Sequence, residues 1–142
     1  MRAILAACLA AATSALPARA AERTPAVDYA LHCQGCHLAD GSATPGRVPA
    51  LAGSLARFTR LPGGRAYLVR VPGVAQAPLD DGALAALLNW MLVRFASGGV
   101  APDFLPYRAE EVGPLRRLPL LDVEGERRRL LGLLGESPAT PP

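Results

Sequence analysis

Lysine is absent from the 142 residues, so all fifteen cations are arginine. Aromatic residues make up only 5% of the chain and charged residues 19%. The 51% of hydrophobic residues come mostly from Ala and Leu, which favours helix because few β-branched or aromatic side chains are available to cover a sheet. So few large rings leave a core of small residues with room for a bulky cofactor. No run reaches the roughly 18 uninterrupted apolar residues of a membrane span, so stable membrane insertion is not expected. The apolar fraction excludes disorder throughout. The length suits one domain of roughly 100 residues plus extras. A formal charge of +3, with no basic face interleaved with aromatics, excludes nucleic acid as a partner.

Cysteine is scarce too, with three in all, and one belongs to a segment expected to be discarded. Arg2 precedes the Ala/Leu stretch Ala3 to Leu16, and Ala18-Arg19-Ala20 forms an A-x-A cleavage site. This is the pattern of a secretory signal peptide over residues 1–20. Cys8 follows too few residues to end a lipoprotein signal. Cleavage after Ala20 leaves thirteen Arg against twelve acids, a nearly neutral chain, and two cysteines, Cys33 and Cys36.

The rest of the chain reads as all-α. Thr24-Pro25 opens a first helix expected to run to Leu38, followed by an irregular Gly/Pro/Ser/Thr loop over 39–52. Short helices are expected around 51–59 and 64–70, with Val71-Pro72-Gly73 breaking the chain. Asp80 or Asp81 caps the strongest helix, which runs to about Ala96 with Leu84, Leu87, Leu88, Met91 and Phe95 on its apolar face. Ser97-Gly98-Gly99 ends it. Beyond residue 102, prolines punctuate a charged stretch that reads as an extension outside the main core, with short helices over about 109–118 and 123–134.

Cys33-Gln34-Gly35-Cys36-His37 is a C-x-x-C-H run, the attachment sequence of c-type haem. Two thiols three residues apart can each add to one vinyl group of haem, and the adjacent His37 supplies the proximal iron ligand. Gly35 lets the backbone approach the porphyrin edge. A thioredoxin-like redox pair needs a βαβ context that is absent. A structural zinc site needs two more ligands, and only His32 is left over. A disulfide fits such a turn poorly and leaves His37 unexplained.

At these residues the chain resembles class I cytochrome c, over about Val27 to Ala96. Asp40-Gly41 and Gly46-Arg47-Val48-Pro49-Ala50-Leu51-Ala52-Gly53 are similar to the loop after the haem motif. Leu87-Leu88-Asn89-Trp90 looks like the last helix, whose aromatic packs on the first. The resemblance implies a haem-wrapping fold of three to five short helices over 21–102, a C-terminal extension over 103–142 as a candidate docking element, and one covalent haem c. It also implies that the Pro49 carbonyl accepts a hydrogen bond from Nδ1 of His37, unless Pro49 merely shapes the loop.

In that family a distal Met comes from a loop before the last helix, where this chain has Val71-Pro72-Gly73. Met91 is the one methionine left after cleavage and hence the candidate distal ligand, although a Met on that face is more often core filler. His32 is expected on the surface or near the haem propionates, and Tyr67 is expected to pack. The implied function is a periplasmic mono-haem electron carrier rather than an enzyme. Its partners would be redox proteins such as a periplasmic dehydrogenase or a terminal oxidase. The alternative is a five-coordinate haem protein binding NO, CO or peroxide at an open distal site, with Arg70 as the candidate proton shuttle.

Overall fold

The structure is a computed structural model that describes residues 23–44 and 48–136. The expected signal peptide with Cys8, the loop residues Gly46 and Arg47, and the stretch 137–142 lie outside the described residues. Among those described the fold is all-α, with one isolated antiparallel bridge between His37 and Ala43. Five helices precede residue 102: α1 Pro25–His32, α2 Leu55–Phe58, α3 Gly64–Arg70, α4 Pro72–Ala75 and α5 Asp81–Phe95. Two follow it, α6 Ala109–Arg116 and α7 Val123–Leu133.

Local chemistry sets most boundaries. Extended Thr24 precedes Pro25, whose missing N–H costs nothing at the first helical position. Asp80 caps α5 by accepting a 2.7 Å hydrogen bond from Ala83 N. Gly98 and Gly99 then take positive φ and end that run. Asp122 caps α7 by accepting from Gly125 N at 2.8 Å.

Two expectations fail at helix ends. The first helix stops at His32 instead of Leu38, because Cys33 leaves helical geometry at φ −123°. The motif folds as a tight turn, with Cys36 N and His37 N both donating to Cys33 O at 3.2 and 2.9 Å. The break at Val71-Pro72-Gly73 is real at Val71 (ψ 133°), yet Pro72 at once starts the single turn of α4.

Scarce aromatics are concentrated inside. Tyr29, Phe58, Tyr67, Phe95 and Tyr107 are buried, five of the seven rings in the chain. α1 crosses α5 through Tyr29, whose ring centroid lies 5.4 Å from Trp90 and 5.1 Å from Phe95. The aromatic of the last helix of the domain thus packs on the first. Gly64 admits a close approach of α3 to α2, since a Cβ there would sit 1.8 Å from the Phe58 carbonyl oxygen.

The segment after residue 102 is partly helical, as the sequence suggests, but it does not lie outside the core. Tyr107, Val112, Leu130 and Leu131 belong to the same buried cluster as Leu84, Leu87 and Leu92. Asn89 in α5 clamps the crossing segment: its Nδ2 donates to Tyr107 O at 3.0 Å and its Oδ1 accepts from Tyr107 N at 2.8 Å. Arg65 of α3 lies 4.0 Å from the Tyr107 ring centroid and donates to both Glu111 carboxylate oxygens, at 2.8 and 2.6 Å. Proline-rich composition hid this, because the apolar residues that anchor the segment are few and widely spaced.

Candidate functional site

The C-x-x-C-H turn is followed by a loop stapled to both α1 and α5. Tyr29 donates its hydroxyl to Leu38 O at 2.7 Å, and Leu38 N donates to Ser42 O at 2.9 Å. Gly41 turns the chain at φ +79°, and a Cβ there would lie 2.5 Å from the Phe95 ring. Only glycine meets both demands. Its carbonyl accepts from Leu51 N and Ala52 N at 2.8 and 3.0 Å, and Gly53 N donates to Phe95 O at 3.1 Å. These bonds fix the backbone on either side of His37.

His37 is half-buried, and its Nδ1 is buried without a hydrogen-bond partner. Burial pushes its pKa below the usual imidazole value, while the nearby Pro49 carbonyl pulls it partly back without completing a hydrogen bond. The ring is therefore held neutral, with a lone pair free for a metal. Cys33 is half-buried and packs against the core, whereas Cys36 is exposed; neither is in a disulfide. Burial, and next the charge of Asp28, push the Cys33 thiol up to about 11. The turn thus presents two neutral thiols and one neutral imidazole, a donor set that suits a covalently held porphyrin. Among the described residues no group of three or more His, Cys, Asp or Glu could hold a bare metal ion.

The other expected residues are scattered. Met91 is only 4% exposed, on the inward face of α5. Val71 caps α3 and packs against the core. Tyr67 is buried as expected, 5.5 Å from the Phe58 ring; burial raises its pKa, and Arg127 of α7 beside the hydroxyl pulls it back. Arg70 is tied to the later segment, donating its Nε to Leu118 O at 2.6 Å. That bond removes it as a free proton shuttle. His32 is not the surface residue expected: it is half-buried, with Nε2 buried and unpartnered, because the end of α1 turns inward beside Cys33.

No family model matches the chain. Cytochrome c-552 of Thermus thermophilus is 34% identical over 118 residues, spanning 69% of this chain and 90% of that protein. A second cytochrome c-552, from a type strain of the same organism, is also 34% identical over 118 residues, with 69% and 80% covered. The chain belongs to the class I c-type cytochromes. It is a cytochrome electron carrier with covalently attached haem c. Among its described residues no helix is long and apolar enough to cross a membrane.

Three residues of this cytochrome escaped the sequence reading. Asp28, at 3% exposure, is the buried charge of the core. Its only sequence signal is a carboxylate between Val27 and Tyr29 on a helix that must bury one face. Asn89 and Arg116 bind backbone groups far away in sequence, and such partners leave no local pattern.

Proposed function

We propose that Cys33 and Cys36 each carry one thioether to the haem and that His37 is the proximal iron ligand. The observation that carries this is the neutral, buried His37 ring on a loop that Gly41 and Tyr29 hold rigid. Bound there, the haem supplies an iron that alternates between the ferric and ferrous states. The chain's own part is positional. Cys33 and Cys36 anchor the group, the loop from Leu38 to Gly53 orients the imidazole, and the core excludes water. The Pro49 carbonyl favours one orientation of the ring, since a partner at the second ring nitrogen raises ligand basicity.

The carrier is periplasmic in this reading, with cleavage after Ala20, a cytochrome domain over 21–102 and a C-terminal segment over 103–142. It exchanges single electrons with redox proteins such as a dehydrogenase or a terminal oxidase. Mass spectrometry of the exported protein tests the assignment: a chain starting at Ala21 plus one haem is expected. Cys33→Ala together with Cys36→Ala should abolish haem that resists acid–acetone extraction. Retention of that haem overturns the attachment site.

A second reading rests on the segment from Val71 to Asp80, which contains no methionine or histidine. Met91 is packed in α5, so the distal position is open, and the ferrous protein should bind carbon monoxide readily at neutral pH. A near-infrared sulfur-to-iron band that Met91→Leu abolishes would instead make Met91 the distal ligand and the protein a six-coordinate carrier.

A further inference from the structure

Asp28 is the one charged side chain buried in the core among the described residues, at 3% exposure. Its Oδ1 has no hydrogen-bond partner. The nearest cation is Nε of Arg23 at 3.4 Å, on a side chain that is 52% exposed. A buried carboxylate so poorly compensated is costly to the fold. It also lies close to the motif. Five residues separate it from Cys33, about 7.5 Å of axial rise along a helix, and its charge is felt at the Cys33 thiol.

We propose that Asp28 lowers the reduction potential of the cytochrome by holding an unscreened negative charge beside the haem attachment point. The inference rests on the assignment of Cys33 as a thioether anchor. Reduction adds one electron from the partner, makes or breaks no bond, and makes the haem group more negative by one unit. The attraction between Asp28 and the oxidised group is weakened by that change, so the carboxylate favours the ferric state. Burial matters to the size of the effect. A charge in the low-dielectric interior acts more strongly and is screened less by salt than one in water. Asp40 provides the contrast: it lies four residues after Cys36 but is exposed, so its charge is damped.

The test is an equilibrium redox titration of the haem-loaded full chain at low and high salt. Asp28→Asn should raise the midpoint potential, with the rise persisting at high salt. Asp40→Asn should give a smaller rise that fades with salt. Arg23→Gln, on an exposed side chain, removes the partial compensation and should lower the potential. Opposite shifts from Asp28→Asn and Arg23→Gln are the signature of charge, because simple loosening of α1 would move both variants the same way. An unchanged or lower potential in haem-loaded Asp28→Asn overturns the proposal. Should that variant fail to accumulate with haem, an unchanged or raised potential in Arg23→Gln overturns it instead. Peptide mapping of the wild type for a thioether at Cys33 reports separately on the attachment assignment, so failure there is distinguishable from failure here.

Discussion

Burial holds the His37 imidazole neutral more strongly than the Pro49 carbonyl favours its protonated form. The lowered pKa has a definite consequence for stability. Below the ordinary value of 6.5 the unfolded chain takes up a proton that the folded chain resists, so stability is present above that pH and is lost as pH falls below it. A urea midpoint that declines from pH 7 towards pH 5 is expected, and a flat profile contradicts the assignment. Gly41 offers a second check. Gly41→Ala forces a left-handed backbone on a residue with a Cβ and drives that atom into Phe95. A loss of about 2 kcal/mol or more in chemical denaturation is expected, with disturbed haem spectra because the same turn carries His37. At this scale Cys33, Cys36 and His37 were legible because attachment chemistry imposes its spacing on the sequence itself. Asp28 was not, because its significance lies in its burial, and burial is decided by how α1 meets α5.

Among the elements, α6 acts on the segment between α3 and α5 through a single side chain. Arg116 donates Nε to Ala75 O at 3.0 Å, Nη1 to Leu79 O and Nη2 to Ala77 O at 2.6 Å each, and it pairs with Asp81. The planar fork can satisfy diverging carbonyls at once, which a lysine ammonium cannot. Arg116→Met should therefore cost roughly 2–3 kcal/mol by leaving carbonyls unpaired, and Arg116→Lys should recover little of it. Urea denaturation of both variants checks this. Helix α5 was readable from Asp80, its apolar spacing and Gly98-Gly99, since caps and periodicity are local. The end of α1 was not. The apolar and helix-forming residues around the motif suggest continuation, whereas the bonds from Leu38 and Gly41 into the loop reverse the chain there.

The molecule as a whole is held closed from its C-terminal side. Glu136 pairs with Arg57 of α2, and Arg127 of α7 lies over the Phe58 ring, 5.4 Å from its centroid. A chain ending at Ala101 would uncover the neighbours of Tyr107, Val112, Leu130 and Leu131. Each such side chain contributes roughly 1.5–3 kcal/mol on burial, against a typical net stability of roughly 5–15 kcal/mol. The truncated protein should lose more than about 10 °C in Tm or fail to accumulate; an unchanged melt contradicts the shared core. The all-α class and the five helices before residue 102 were legible from composition and periodicity. The integration of the later segment was not, since it depends on Asn89 and Arg65 meeting Tyr107 across long stretches of sequence.

That shared core also imposes an order in time. Cys36 is made 95 residues before Leu131, an interval of roughly 5–20 s at ordinary rates of synthesis. Until Leu130 and Leu131 arrive, the cluster that α2, α3 and α5 enclose lacks part of its wall. The two thiols therefore emerge early and spend seconds on an unfinished fold. For that interval the attachment turn is a segment of open chain, accessible to whatever must reach it before the fold closes.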